Sequence, residues 1–132
     1  EEHYRVFYDP AVRAARRTRA EYLAAAHVTV VYEPRRLLDL DQWLASKGIQ
    51  RRFAVMVPGF AGLPQFIRGT DLLATAPGRL QSHLLRDLAS VEPPVPCPPM
   101  PMYMVWHARH QVDAAHRWLR GELEAVVASV VV

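Results

Sequence analysis

Short apolar runs alternate with amphipathic segments along this chain, and the two patterns predict strands and helices in turn. Five apolar runs predict strands, at residues 4–8, 27–32, 52–57, 72–75 and 102–106. The runs in the middle of the chain are continuous rather than alternating in polarity, which is typical of strands buried on both faces of a parallel sheet. The pattern therefore predicts an α/β domain with a mostly parallel sheet.

Helical periodicity and end signals predict five helices, at residues 18–25, 39–48, 61–68, 78–88 and 113–128. Thr18 and Glu21 match a capping box, in which both side chains accept hydrogen bonds from free N–H groups at a helix start. Asp39 is expected to cap the second helix, and Gly48 to end it. Gly121, inside the last helix, costs roughly 1 kcal/mol relative to alanine, which a closely packed neighbour would make tolerable.

A proline-rich segment, residues 91–101, separates the fourth predicted helix from the last predicted strand. Proline lacks the N–H group that a helix and a central strand both need, so this segment is predicted to be an extended connection. A linker between two separate domains is the alternative interpretation. Too little chain follows the segment to fold alone, which favours a return connection between two lobes.

Bulk composition narrows the class of protein. A chain of 132 residues with 51% hydrophobic and 22% charged residues is typical of one globular domain. The net charge is +3, and the arginines are scattered rather than gathered into a basic stripe, which argues against a nucleic-acid surface. The single cysteine, Cys97, excludes an internal disulfide. With no membrane-length apolar stretch and no signal peptide, a cytoplasmic domain is expected.

The turn after the third predicted strand, spelled VPGFAGL, is the candidate binding site. Loops at the carboxyl ends of parallel strands, next to free helix N–H groups, are where small ligands bind. Pro58 and Gly59 allow a tight turn, the N–H groups around Ala61 and Gly62 suit a carboxylate, and Phe60 suits an aromatic ring. The alternative is that Phe60 and Leu63 are core residues, and the residues alone leave the two interpretations equally open.

Metal binding and catalysis have little support. His107, His110 and His116 are close in sequence, but one cysteine and no HExxH motif do not make a zinc pattern, so no metal is expected. No serine lies in a GxSxG turn, and the chain has no GxGxxG or GxxxxGKS phosphate-binding loop. We therefore expect no cofactor, no catalytic residue and no enzyme.

Three stretches, in this order, resemble the effector-binding domain of LysR-type transcriptional regulators: RRFAVMVPGFAGLP at 51–64, GTDLLATAP at 69–77, and PMYMVWHARHQVDAAHRWLRGEL at 101–123. The resemblance runs from about Tyr4 to Val127. It is closest to the subgroup that responds to small aromatic acids, nitroaromatics and flavonoids. It implies a periplasmic-binding-protein-like (type 2) α/β fold with an inducer held between two lobes.

The resemblance also implies roles for particular residues. In these regulators the loop that corresponds to residues 58–63 faces the inducer, which implies an effector site at Pro58, Gly59, Phe60, Ala61 and Leu63. The strands at 4–8 and 102–106 resemble the two crossover strands between the lobes. They imply a hinge at Tyr8, Asp9, Met104 and Trp106.

The implied organisation is a partial effector domain. Residues 9–101 correspond to the second lobe, and residues 102–132 to the last strand and helix of the first. The implied function is inducer sensing that controls DNA binding and transcription through rearrangement of lobes and of a homo-oligomer, either dimer or tetramer. DNA would be contacted only through a helix-turn-helix domain that this chain lacks, and no membrane partner is expected. The alternatives are a solute-binding protein, which should carry an export signal, and a small α/β enzyme.

Overall fold

The computed structural model describes residues 2–32 and 35–130. The described chain divides into two compact units, residues 2–100 and residues 101–130, which we call the sheet unit and the C-terminal unit. Six strands belong to the sheet unit: β1 (Tyr4–Tyr8), β2 (Ala26–Tyr32), β3 (Arg36–Leu37), β4 (Arg52–Val57), β5 (Leu73–Pro77) and β6 (Ala89–Val91). Its helices are α1 (Arg19–Ala24), α2 (Asp39–Ser46) and α3 (Leu63–Ile67). The C-terminal unit contains α4 (Ala114–Val130).

The six strands form one mixed sheet, in the order β3-β2-β5-β1-β6, with β4 also paired to β2. Strand β2 runs parallel to β4 and β5, while β1 is antiparallel to both β5 and β6. The predicted α/β fold is confirmed, but the parallel part of the sheet is limited to β4, β2 and β5. An apolar run predicts a strand but not the direction of that strand, which the connections between strands decide.

The core lies on both faces of the sheet. Thr29 of β2 contacts Asp41 of α2, and because side chains alternate along a strand, Val28 and Val30 point to the opposite face. Helix α3 packs against β2 and β5. Large side chains with less than 2% exposure include Phe7, Tyr22, Leu40, Leu44, Leu63, Ile67, Leu73 and Leu85. Each buried side chain of this kind contributes roughly 1.5–3 kcal/mol relative to exposure.

Helix ends that depend on near neighbours were predicted well. The Glu21 N–H donates to Thr18 Oγ1 at 3.2 Å and the Thr18 N–H donates to Glu21 Oε2 at 3.1 Å, which confirms the capping box. Gly48 has φ +70° and ends α2 in the left-handed conformation that glycine favours. The expected cap at Asp39 is wrong, since α2 begins at Asp39 itself and Leu38 is the capping residue. Asp39 instead adds negative charge to the first turn, where the helix dipole favours it.

Two predicted elements are wrong because their structure depends on distant partners. Residues 78–88 are not one helix: a 3₁₀ helix covers Gly78–Ser82, and the chain then turns into β6, which pairs with β1. The predicted strand at 102–106 is not a strand; in the described chain it has no neighbouring strand to pair with, and Val105 is 87% exposed. A strand requires ladder hydrogen bonds from a partner, which an apolar run cannot supply alone.

Strand β4 was predicted to be buried on both faces, and this is also wrong. Within the described residues it pairs only with β2, which places it at an edge of the sheet. Ala54 and Met56 are exposed, with Met56 at 59%, whereas Val57 is buried. A continuous apolar run is therefore compatible with an edge strand that leaves one row of side chains uncovered.

Candidate functional site

The sheet gathers several loops at one edge. Because β2, β4 and β5 are parallel, their carboxyl ends lie together, with Val30 opposite Val57. The antiparallel pairing of Tyr4 with Pro77 brings the start of β1 to the same place. We call this the carboxyl edge; it includes residues 3–4, 58–63 and 77–79. Ligands of open α/β sheets bind at such edges.

The predicted binding turn lies at the carboxyl edge. Gly59 is extended and precedes a 3₁₀ helix at Phe60–Gly62, which runs directly into α3. The Gly62 N–H donates to the Gly59 carbonyl at 3.2 Å, so the prediction that this N–H group is available to a carboxylate is wrong. Among the described residues, the N–H groups of Phe60 and Ala61 donate to no acceptor. These two N–H groups are the part of the turn that is available to an anion or a carbonyl oxygen.

The five predicted effector residues differ in exposure. Pro58 and Ala61 are exposed, while Gly59 and Phe60 are half-buried, with Phe60 against the core. Leu63 is 1% exposed and belongs to the core, as the alternative interpretation predicted. The Leu63 side chain therefore packs the turn against the core and is not accessible to a ligand at the carboxyl edge.

Two of the predicted hinge residues, Tyr8 and Asp9, lie away from the binding turn. Phe7 pairs with Ala74 near the start of β5, so Tyr8 and Asp9 lie at the opposite edge of the sheet. Asp9 Oδ2 accepts from the Gly69 N–H at 2.7 Å, and Oδ1 accepts from the Ala11 N–H at 2.8 Å. These hydrogen bonds, that from Gly69 first, lower the pKa of Asp9. Asp9 thereby ties the end of β1 to the turn that precedes β5.

The other two hinge residues, Met104 and Trp106, belong to the C-terminal unit. Both lie in an irregular segment rather than in the strand that was predicted for them. The indole N–H of Trp106 donates to Gln111 Oε1 at 2.8 Å, so the ring is held by the turn that follows it. A hinge formed by these four residues stays a prediction.

A groove of ≈ 480 Å³ beside the start of β1 was not predicted. Its walls come from His3, Tyr4, Arg5 and Glu92, and from the proline-rich segment at Pro93, Val95, Cys97, Pro98 and Pro99. The segment lies beside β1 because Glu2 forms a bridge with Met100, a long-range contact with no local signal.

Burial keeps two ionisable groups of the groove, Tyr4 and Cys97, uncharged. Burial is the main cause that raises the pKa of the Tyr4 hydroxyl, and it raises that of the Cys97 thiol to about 11. Both groups are therefore protonated and neutral near pH 7. Arg5 supplies the positive charge, but its Nε and Nη2 already donate to Ser90.

A buried polar network under α1 and α2 was also missed. Arg51 Nε and Nη2 donate to Asp41 Oδ1 at 2.9 and 2.6 Å, and Thr29 Oγ1 donates to Asp41 Oδ2 at 2.9 Å. The hydroxyls of Tyr22 and Thr75 lie 2.7 Å apart. The sequence does carry one signal for this network. An aspartate, Asp41, lies among the apolar residues of α2, and an arginine, Arg51, directly precedes β4. These side chains satisfy one another, which indicates a structural role.

His27 adjoins this network and is fully buried. Its Nε2 bonds the Tyr22 carbonyl at 2.8 Å, and its Nδ1 has no hydrogen-bond partner in the described residues. Burial, and then the nearby Arg51 charge, lower the pKa of His27 to about 4. The ring is therefore neutral in the folded domain at neutral pH.

The other histidines do not form a metal centre. The rings of His107 and His110 have centroids 6.5 Å apart, and His110 stacks on His116 at 4.9 Å. Within residues 2–32 and 35–130, no three histidine, cysteine, aspartate or glutamate side chains gather as metal ligands. In that same part of the chain, no helix is long and apolar enough to cross a bilayer.

These features define an α/β domain with a groove and an open turn near the carboxyl ends of its parallel strands, the place where ligands of open α/β sheets bind. Residues 1–128 match the LysR substrate binding domain family, and the chain belongs to that family. The predicted periplasmic-binding-protein-like fold is thereby confirmed.

Two nodulation proteins and one solved structure are similar to this chain. Nodulation protein D 2 of Rhizobium tropici is 35% identical over 102 residues, which are 75% of this chain and 32% of that protein. Nodulation protein D 1 of Neorhizobium galegae is 33% identical over 103 residues, 76% of this chain and 33% of that protein. The regulatory domain of MexT, a transcriptional activator in Pseudomonas aeruginosa, superimposes with a TM-score of 0.76 at 26% identity. That match covers 92% of this chain and 62% of the MexT chain, and the chain spans about a third of the nodulation proteins.

Proposed function

We propose that this domain senses a small-molecule inducer for a LysR-type transcriptional regulator and is not an enzyme. The observation that carries the proposal is the family match over residues 1–128, together with the similarity to the regulatory domain of a transcriptional activator. DNA would be bound by a separate helix-turn-helix domain, in the cytoplasm. The regulator would act as a homo-oligomer, either a dimer or a tetramer.

The proposed mechanism is a shift between two arrangements of the lobes. An inducer can change the balance only if it binds one arrangement more tightly than the other. Contacts at the carboxyl edge favour the arrangement in which a second lobe covers the ligand. The hinge would be formed by Tyr8, Asp9, Met104 and Trp106, and its movement would alter how attached DNA-binding domains meet a promoter.

The proposed inducer is a small aromatic acid. Two properties of the turn support it: the unpaired N–H groups of Phe60 and Ala61 match a carboxylate, and the half-buried Phe60 ring offers an aromatic face. The exposed Pro58 and extended Gly59 keep the approach open. Leu63 acts indirectly, since it packs the turn against the core.

Calorimetry on the regulator that carries this domain tests the proposal, with salicylate as the probe and salicylamide as its uncharged match. We expect Phe60→Ala to weaken salicylate binding about fivefold, because ring stacking contributes roughly 1 kcal/mol. Phe66→Ala is the control, since Phe66 is 41% exposed on α3 and outside the proposed site. Far-UV circular dichroism should be unchanged in both variants.

The outcomes separate the parts of the proposal. Equal affinity for salicylate and salicylamide would contradict carboxylate recognition by the turn. Equal loss in Phe60→Ala and Phe66→Ala would contradict the specific role of Phe60. Absence of any inducer-dependent change in promoter binding would contradict the regulatory function itself.

A further inference from the structure

The proline-rich segment leaves a gap in the hydrogen-bond ladder of β1. On the side of β1 that faces this segment, Val6 pairs with Val91 of β6, and Glu2 forms an antiparallel bridge with Met100. Between these two pairs, four residue steps of β1 face nine residue steps of the segment. The segment therefore bulges away from the strand, and the groove of ≈ 480 Å³ lies in the opening, which we call the ladder gap.

Tyr4 lies at the centre of the ladder gap, and its backbone groups point into it. Successive residues of a strand direct their N–H and C=O groups to opposite sides. The His3 carbonyl accepts from the Gly78 N–H at 2.8 Å on the β5 side, so the N–H and C=O of Tyr4 point to the other side, toward the groove. In the described residues, no backbone hydrogen bond satisfies either Tyr4 group on that side.

Proline explains why the chain does not close the ladder gap itself. Continuing the antiparallel register from Met100 places Pro98 opposite Tyr4. Continuing it from Val91 places Pro93 there instead. Proline has no N–H group, so neither residue can donate to the Tyr4 carbonyl and complete the pair. The gap is therefore a consequence of the residues that the segment contains.

The ladder gap has space for a small molecule but not for another strand. Four residue steps of a strand span about 13 Å, and the pairs at Val91 and Met100 close both ends. The volume of ≈ 480 Å³ is in the range of small-molecule pockets. An extended peptide needs a continuous open edge, which this opening does not offer.

The charges on the walls of the groove compensate each other. Arg5 Nη1 lies 3.8 Å from Glu92 Oε1. The Tyr4 hydroxyl and the Cys97 thiol are neutral near pH 7, since burial raises the pKa of each. Apart from the exposed His3, the remaining walls are apolar and consist mostly of proline rings. Such walls favour an uncharged ligand with some apolar surface over a carboxylate.

We propose that the ladder gap is an additional small-molecule site, which binds an uncharged carboxamide through the backbone N–H and C=O of Tyr4. A primary carboxamide presents an acceptor and a donor side by side, so it accepts from the Tyr4 N–H and donates to the Tyr4 carbonyl. It supplies the donor that the opposing prolines lack, and its apolar part lies against their rings. The groove shares no lining residue with the turn at 58–63, so this site is separate from the proposed inducer site.

Nitrogen–proton correlation NMR of the chain, titrated with benzamide, tests the proposal. The Tyr4 amide proton should shift downfield in a saturable way and exchange more slowly with water, because a free N–H becomes hydrogen-bonded. The usual binding energy per non-hydrogen atom of a small ligand gives benzamide a dissociation constant of about 10 mM or tighter. The amide protons of Phe60 and Ala61 report the other site and should not follow the titration.

Two matched ligands identify the groups that benzamide uses. N,N-dimethylbenzamide keeps the C=O group and loses both N–H donors. Benzoate has the same shape as benzamide, but it has no donor and it carries a charge. Each should bind about fivefold more weakly than benzamide or worse, since each loses the hydrogen bond to the Tyr4 carbonyl.

A pair of variants tests the Tyr4 N–H group. Tyr4→Pro removes this donor, which has no partner in the free chain, so the substitution costs no native hydrogen bond. Tyr4→Val is the matched control, because it also removes the phenol ring but keeps the N–H group. Benzamide should bind Tyr4→Pro about fivefold more weakly than Tyr4→Val.

Any of three outcomes overturns the proposal. Equal affinity for benzamide and N,N-dimethylbenzamide would mean that the Tyr4 carbonyl accepts no hydrogen bond from the ligand. Shifts at Phe60 and Ala61 without a shift at Tyr4 would place the ligand at the other site. A Tyr4 amide proton that exchanges as slowly as that of Val6 in the free chain would mean that the ladder is closed. The ligand comparison uses the unaltered chain, so it decides the question even if Tyr4→Pro does not fold.

Discussion

Each unit of this domain contains one nearly buried arginine, and the two arginines have different partners. Arg51 donates twice to the Asp41 carboxylate, and the two side chains are 0% and 4% exposed. Arg120 donates to two backbone carbonyls and an imidazole, and stacks on an indole. In the described residues Arg120 has no carboxylate partner.

The difference in partners predicts a different cost for the loss of each arginine. A buried pair of opposite charges is costly to break, because removal of one partner leaves an uncompensated charge in the core. The acceptors around Arg120 carry no opposite charge, so removal of Arg120 would leave no buried carboxylate without a partner. The Arg51 network is therefore the costlier of the two to disrupt.

The largest expected effect comes from the Arg51 network. Arg51→Met should lower the free energy of unfolding of the sheet unit by about 3–5 kcal/mol, since Asp41 would stay buried with only the Thr29 hydroxyl as partner. Urea denaturation followed by far-UV circular dichroism measures the loss. The double variant Arg51→Met/Asp41→Leu is the control and should recover most of it, because no buried charge remains. Wild-type stability of the Arg51→Met variant would contradict the prediction, because it would mean that the Asp41 carboxylate is hydrated in the folded state.

His27 gives the sheet unit its own dependence on acid. The unfolded chain protonates this histidine near pH 6.5, whereas the folded domain resists protonation until about pH 4. Between these values the unfolded state binds more protons, so stability falls as pH falls, by about 3 kcal/mol in total.

Urea denaturation at pH 7, 6, 5 and 4 checks this dependence. His27→Gln keeps a donor for the Tyr22 carbonyl and removes the titration, so its stability should vary much less across the series. Parallel curves for wild type and variant would show that other groups cause the loss.

Gly78 tests how tightly the carboxyl edge is packed. A Cβ at this position would lie 2.9 Å from Arg5 Cγ and 3.2 Å from the His3 carbonyl oxygen. Gly78→Ala should therefore destabilise the sheet unit by about 1–3 kcal/mol, as overpacking does. Gly59→Ala is the matched control, because a Cβ there meets nothing within 4 Å. Equal thermal midpoints for the two variants would contradict the close approach.

Gly121 should give the smallest effect, and one of opposite sign. In the described structure no neighbour packs closely at Gly121, since a Cβ there meets nothing within 4 Å. Gly121→Ala should raise the helix content of α4 and stabilise the C-terminal unit by about 0.5–1 kcal/mol. Helical ellipticity during thermal unfolding measures the gain. Destabilisation would indicate that a partner packs on this face of α4.

Predictions from sequence succeeded where a few adjacent residues decide the structure. The capping box at Thr18 and the glycine stop at Gly48 depend on contacts within one helical turn. A proline and a glycine after an apolar run predicted the turn at 58–59, and the structure has a turn there. The binding role of this turn stays a prediction. The burial of Leu63 in the core could not be predicted from the sequence, because apolar residues are common both in cores and in binding sites.

The sequence by itself determined the α/β class of this protein, several of its helix ends, and its resemblance to the LysR-type family. These depend on periodicity and on short-range hydrogen bonds. Only the tertiary structure decided that β1 and β6 pair antiparallel, that Asp41 meets Arg51, and that the proline-rich segment lines a groove. Such features join residues far apart in the chain, and no local pattern encodes which distant partner satisfies a strand edge or a buried charge.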